Sequence, residues 1–407
     1  MNLRIIATKL FLMITVALAA QEIVETAVLP GGYQLTLTEE VRFGAVEEDE
    51  AYQWPSLQTK VLPAPNGQMY IFDHEGSRVL LFGRDGVFVK QVARGGQGPG
   101  ELQYMTSISQ TPSGLIYIMD TPSPGNLMRI KRYHADMTFR DEISTLDMPL
   151  RPDSLYVSHD EKNMAGLFVT FDPKTKGLSV KTGVLRLADK AMLNVFSVDQ
   201  TALGLESITD QNKWVEIITR GVKQQHRAGL LAMADDGTVY TANADKYVIS
   251  QWEPGEKVAR RVISRNVKPR PFTDRDKEAL VDHQWENMNE SSRAAIARAS
   301  IVKGLDKAEL PAHPPLVGLI SMEDKGFLAI RQSDAQTRIN RADVFSKKGE
   351  LLCEIELSDA ALSLRTPGSW TPNKRMVFRN GMAYTILTDD EGDNIAVRYS
   401  YALTKQN

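Results

Sequence analysis

The chain has a single cysteine, Cys353, in 407 residues. No intramolecular disulfide can form, so the fold must hold by core burial, which this length permits. Cys353 lies in the strand-like run 350–357, where it reads as a small buried apolar residue and not as a nucleophile. Beyond the N-terminal segment, no stretch is apolar enough to span a membrane. No basic tract interleaves with aromatics, which argues against nucleic acid as a partner. Catalytic signatures are scarce as well. There is no Gly-x-Ser-x-Gly elbow, and no two of the six histidines share a His-x-His or His-x-x-x-His spacing.

The N-terminus is where apolar residues concentrate. Arg4 and Lys9 form a basic start, and residues 10–20 are apolar except for Thr15. Ala17-Leu18-Ala19 places small residues where a signal peptidase reads them. The run is shorter than the roughly 20 residues a membrane-spanning helix needs. Residues 1–20 are therefore expected to be a signal peptide, and the protein to be exported to the periplasm or the extracellular space. With no cysteine near this segment, lipid attachment there is not expected. Removing residues 1–20 takes two basic residues and no acid, leaving 46 basic against 51 acidic and a balance of −5. A composition of 42% hydrophobic and 24% charged residues is that of an ordinary globular protein. The mature chain is expected to be a monomer without a transmembrane span.

What is present is a repeat. Asn66-Gly67 precedes the run Met69-Tyr70-Ile71-Phe72-Asp73, and Ser113-Gly114 precedes Ile116-Tyr117-Ile118-Met119-Asp120. Tyr70 and Tyr117 are 47 residues apart, as are Asp73 and Asp120. Short strands and Gly turns at such a period are the signature of propeller blades. The first unit reads as strands over 57–65, 69–73, 78–83 and 87–93, and the second over 104–112, 115–120, 127–133 and 138–144. A third, less regular unit runs from about Ser154 to Ser197, and a fourth starts near Ala228 with the turn Asp235-Asp236-Gly237. A fifth holds 316–322, 327–331, 342–346 and 350–357. The sixth, from Arg375 to Ala402, lacks a fourth strand. The β-rich segment Tyr33–Arg42 is placed to supply it and close the ring. Asn-Gly and Asp-Gly suit the tight turns because both residues tolerate positive φ.

One segment breaks the pattern. Residues 274–305 are free of proline and rich in Ala, Glu, Arg and Lys, with Thr273 and Asp276 placed as a helix cap. One or two helices are expected over about 273–306, inserted between the fourth and fifth blades. Leu280, Trp285, Met288, Ala295, Ile296 and Ala299 could form their apolar face. Packing on the ring is favoured over a role as a lid.

These features resemble the bacterial six-bladed β-propeller proteins related to NHL-repeat proteins. The resemblance rests on the segment 67–73, on Gly96-Gln97-Gly98-Pro99-Gly100-Glu101 as a connector between early blades, on the helical insert, on the turn 344–350 and on the ending 390–399. It spans roughly residues 30 to 402. It implies an all-β fold of six four-stranded antiparallel blades over residues 21–407, and an exported compartment, more than any activity.

The candidate sites are weak. The connector is not a phosphate loop, because no Lys-Ser or Lys-Thr and no helix follow it. Gly96, Gly98, Pro99, Gly100 and Glu101 are expected to be structural: the glycines at positive φ, Glu101 accepting N–H groups of the turn. His226 and Arg227, just before an innermost strand, are the channel candidates for binding, against a simple packing pair. His74-Glu75 and His159-Asp160 are expected to be solvated turns. The acidic cluster Asp389, Asp390 and Asp393 has the oxygen ligands calcium takes, but not the EF-hand pattern, and a solvated hairpin loop is the simpler reading. No cofactor is expected, with calcium or zinc left open. The leading function is a binding scaffold for a protein, peptide or glycan, because propellers set variable loops on a rigid ring. The alternative is a metal-dependent lyase or lactonase in the central channel.

Overall fold

The computed structural model describes residues 32–43, 59–121, 129–145, 155–172, 177–202, 211–225, 229–286, 290–331, 339–358, 376–388 and 394–406. These residues form six four-stranded antiparallel sheets. The first blade is β2 (Lys60–Pro63), β3 (Met69–Asp73), β4 (Arg78–Phe82) and β5 (Phe88–Ala93). The second is β6 (Met105–Gln110), β7 (Ile116–Asp120), β8 (Arg129–Tyr133) and β9 (Phe139–Ser144). The third, less regular in sequence, is β10 (Leu155–Val157), β11 (Asn163–Asp172), β12 (Gly177–Arg186) and β13 (Met192–Ala202). The fourth is β14 (Gly229–Met233), β15 (Val239–Asn243), β16 (Val248–Trp252) and β17 (Arg261–Ser264). The fifth is β18 (Gly318–Ser321), β19 (Phe327–Ile330), β20 (Ile339–Phe345) and β21 (Leu351–Ser358).

The sixth blade takes three strands from the C-terminus and one from the N-terminus. β22 (Val377–Arg379), β23 (Met382–Thr388) and β24 (Asn394–Lys405) are completed by β1 (Tyr33–Phe43) on the outer edge. β1 runs antiparallel to β24 from Tyr33 opposite Lys405 to Phe43 opposite Ala396. The expected closing strand is therefore present. The predicted hairpin turns form as their residues require: Asn66 and Gly67 sit at φ 61° and 74°, and Asn380 and Gly381 at 56° and 73°.

First strands of neighbouring blades touch, β6 with β10, β10 with β14, β14 with β18, β18 with β22 and β22 with β2. The first strand of each blade therefore lines the axis. The core lies in the seams between blades. Leu62, Phe72 and Leu81 of the first blade pack with Met105, Ile118 and Tyr133 of the second. Equivalent clusters join the second to the third, the third to the fourth, and so on round to Phe43, Ile386 and Ala396 against Ile71 and Phe82. This explains the unbroken apolar runs. A second strand such as Met69–Asp73 or Ile116–Asp120 is buried at every residue because a neighbouring blade covers each face. Outer strands alternate, as β9 does along Phe139–Ser144.

The helices come from two places in the chain. Between the third and fourth blades lies α1 (Gln211–Gln225), a helix no reading of the sequence anticipated. Between the fourth and fifth lie α2 (Asp274–Glu286), α3 (Glu290–Ala295) and α4 (Arg298–Leu305). Counted from the blade that holds β1, these last fall between the fifth and sixth. Thr273 caps α2: its Oγ1 accepts the Asp276 N–H at 3.3 Å, and Asp276 accepts the Thr273 N–H at 2.8 Å. Ile218 and Val222 of α1 pack with Leu280, Val281, Ile296, Ile301 and Leu305. Trp285 joins this cluster at its edge, whereas Ala299 is exposed and takes no part. Among the described residues no helix is long and apolar enough to cross a membrane.

Candidate functional site: the axial channel

The six innermost strands enclose a cavity of about 130 Å³ on the axis. Its wall is mostly apolar, with Val61, Leu62, Ile108, Leu155, Ile320 and Phe378 among its residues. Polar groups gather at the end where the first strands turn into the second. Arg379, the last residue of β22, lies across this end. Its Nη1 donates to both carboxylate oxygens of Asp235 at 2.8 Å, and its Nη2 reaches the Gln110 carbonyl at 3.4 Å. The arginine side chain is 13% exposed and the aspartate 30%. One guanidinium on the sixth blade thus ties the fourth to the second. Beside it, Glu323 accepts the backbone N–H groups of Asn380 and Gly381 and the Tyr401 hydroxyl, so the fifth blade grips the sixth at the same end. Gln110 donates from Nε2 to the Pro63 carbonyl at 2.9 Å.

The connector after the first blade is a folded unit. Leu102 is fully buried in the first seam, and its N–H and C=O bond to Arg94 and Gly96. The Glu101 carboxylate accepts the Gly98 N–H at 2.9 Å and Arg94 Nε at 3.0 Å. These donors hold its pKa below the usual carboxylate range, the Gly98 N–H first and Arg94 next. Gly100 alone of the connector glycines stands at positive φ, at 78°. Gly96 is small for a steric reason instead: a Cβ there would meet Glu101 Oε2 at 2.0 Å. The Glu101 carbonyl accepts Lys131, which is 1% exposed and pairs with the wholly buried Asp120 at 3.1 Å. Asp120 Oδ1 also accepts the N–H groups of Gln103 and Tyr104. Asp73, 47 residues earlier, instead binds Arg78 at 2.7 Å and the Gly76 N–H. The equivalent tyrosines both reach the next blade, Tyr70 to the Ala135 carbonyl and Tyr117 to Glu161.

Two further polar clusters assemble away from the channel. Between the fourth and fifth blades, the fully buried Asp343 pairs with Arg265 at 2.6 Å and Arg331 at 3.3 Å and accepts the Tyr247 hydroxyl. Glu354 binds the same two arginines, at 3.1 and 2.9 Å. Beside α2, Asp276 takes both terminal nitrogens of Arg270, with His313 Nε2 at 3.4 Å and His313 stacked on Phe272. Burial pushes the Asp276 carboxyl up, but the hydrogen bonds from His313, Arg270 and Thr273 outweigh it and hold the pKa well below the usual range. The members of the Asp343 cluster come from separate strands and strand ends, so no local spacing announces it; of the Asp276 cluster the sequence shows the Thr273–Asp276 cap but not the arrival of His313.

His226 and Arg227 lie outside the described residues, and so do Asp389, Asp390 and Asp393. His159 is exposed in a turn, as expected. His74 is not solvated: it is 7% exposed, packed edge-on against Tyr104 at 4.4 Å, with Nδ1 lacking a partner. Burial keeps its pKa below the ordinary value. Tyr104 packs on it from beyond the connector, which a turn read from the sequence alone does not reveal. Among the described residues no three of His, Cys, Asp and Glu converge as a metal site.

The sheets define the class of protein: a six-bladed β-propeller closed by its first strand. A family model described as a 6-bladed beta-propeller matches residues 59–164, the first two blades and the opening of the third. No functionally curated protein matches the chain. Among solved structures, the chain is similar to a Bacteroides fragilis protein whose export is inferred, at 12% identity and a TM-score of 0.47, covering 94% of this chain and 98% of that one. It is also similar to a member of the DUF4221 family from Bacteroides vulgatus, at 10% identity and 0.46, covering 91% and 99%. A catalytically inactive virginiamycin B lyase from Staphylococcus aureus is similar at 8% identity and 0.36, covering 94% and 96%.

Proposed function

We propose that this protein is an exported binding propeller whose ligand, a peptide or another small polar molecule, occupies the axial channel. The observation that carries this reading is the cavity itself, lined by all six blades and bridged at one end by Arg379 and Asp235. A largely apolar pocket with a few convergent polar groups is the usual form of a ligand site. Export is supported by the basic start and apolar run of residues 1–20.

The test is native mass spectrometry of the protein secreted by cells, beside a variant with the channel filled, Ser109→Phe. A bound mass released on unfolding, present in the natural chain and lost in a folded variant, supports the reading. A mass retained in the filled variant places the ligand elsewhere and overturns it. Conversion of the released ligand on incubation would replace binding by catalysis.

A further inference from the structure

We infer that the axial channel is a blind pocket: Arg379 plugs the end where the first strands turn into the second, so the ligand enters by the opposite mouth and presents one end group, without threading through the ring. The inference rests on the binding reading above and goes on to the shape of the ligand.

The plug follows from the order of the blades. First strands touch in the order β2, β22, β18, β14, β10 and β6, and the first and second blades share a seam. The second, fourth and sixth blades therefore alternate around the axis. Arg379 belongs to the sixth. Its guanidinium donates to Asp235 of the fourth blade at 2.8 Å and reaches the Gln110 carbonyl of the second at 3.4 Å. A group extended from one of six blades that bonds two others, each a third of a turn away, lies across the axis. It is also preset there. Glu323 accepts the N–H groups of Asn380 and Gly381 and so fixes the turn that directly follows Arg379. Asp235 is 30% exposed against 13% for Arg379 and forms the solvent side of the plug. Bonds between ionised groups are the stronger ones, and having to break one slows passage by about tenfold or more.

The cavity continues from the plug to the strand starts. Gln110, Ser321 and Arg379 line it at the plugged end, and Lys60 and Leu155 at the other. Its volume is about 130 Å³. An engineered apolar cavity of about 150 Å³ takes up benzene, so the space suits a compact group of about six heavy atoms. That is a small molecule, a side chain or the end of a longer chain. The mostly apolar wall favours an apolar one.

Thiol labelling of Ser109→Cys tests this without knowledge of the ligand. Ser109 lines the cavity beside Gln110. The probe is methyl methanethiosulfonate, with each site read by peptide mass mapping. Buried Cys353 is the control, since it stays unlabelled in any variant that keeps its fold. Lys60→Trp, which narrows the open mouth, is expected to slow labelling about tenfold. Arg379→Ala is expected to speed it about tenfold and to make it indifferent to Lys60→Trp. Asp235→Ala, which frees the arginine instead of removing it, is expected to act in the same sense and serves if Arg379→Ala unfolds. Labelling of folded protein that is indifferent to both Arg379→Ala and Asp235→Ala overturns the inference. So does labelling that Lys60→Trp leaves unchanged while Arg379 is in place. No labelling in any variant would mean a cavity sealed at both ends and overturns it too. A native ligand lost in Ser109→Phe upholds the binding reading in each of these cases, so the two claims fail separately.

Discussion

His313 and His74 are both held in their neutral forms, by burial first in each case. His313 faces Asp276, which favours its charge, and Arg270, which opposes it. His74 faces Lys60, which opposes its charge, and Asp73 and Glu75, which favour it. A histidine whose folded pKa lies below its unfolded value near 6.5 takes up a proton more readily in the unfolded chain. Its contribution is complete above that value and is lost as pH falls towards the folded pKa. Stability should therefore fall as the pH is lowered below about 6.5, at no more than about 1.4 kcal/mol per pH unit for each histidine. Carboxylates with depressed pKa values, Asp276 and Glu354 among them, lose stability in acid as well, so the comparison must be between variants. Urea unfolding of the natural chain and of His74→Gln/His313→Gln across this range measures the difference. The double variant should show the shallower slope. Equal slopes would mean that both rings are protonated in the fold as easily as in water.

At the scale of elements, what could be read in the sequence is what a single element decides for itself. The runs Met69–Asp73 and Ile116–Asp120 gave strands because a blade face covers each side, and the Asn-Gly pairs gave their turns. The α2 cap was equally plain, since Thr273 and Asp276 are three residues apart. The closing strand β1 could be placed because the last blade was one strand short. By contrast α1 was missed, although Trp214, Ile218 and Val222 recur every four residues on its packed face and were the available signal. The channel end was also hidden. Gln110, Asp235, Ser321 and Arg379 sit on four blades, and only ring closure brings them together. The helical unit offers a test of how its two halves depend on each other. A Cβ on Gly304 of α4 would stand 2.5 Å from Val215 of α1. Gly304→Val should force these helices apart and cost about 1–3 kcal/mol. Val215→Ala should return part of that loss, because the two sites are in contact and their effects do not add. Chemical unfolding of the single and double variants reads this, and strict additivity would show that the helices are not packed as described.

For the molecule as a whole, stability depends on a contact between its two ends. β1 and β24 pair over ten positions although some 360 residues separate them in the chain. Leu35 of β1 also enters the seam between the fifth and sixth blades, in one cluster with Cys353, Ile355 and Val397. Late closure of the ring in folding is the expectation, since so remote a contact must first overcome the entropy of the intervening chain. Cys353 reports on that closure. It is fully buried, and burial raises its thiol pKa to about 11, so neither access nor ionisation favours reaction. In the protein from residue 21 onward, a thiol reagent at pH 8 should label it only on global unfolding. A chain starting at residue 44 lacks β1 and exposes the edge of β24, as well as one side of the seam. Cys353 should then react at least tenfold faster, and the unfolding midpoint should fall. A synthetic peptide of residues 32–43 added in trans should restore protection, because it carries both the pairing edge and Leu35. If the shortened chain keeps its midpoint and its unreactive thiol, the other five seams suffice to hold the ring, and the N-terminal strand covers the last blade without closing it.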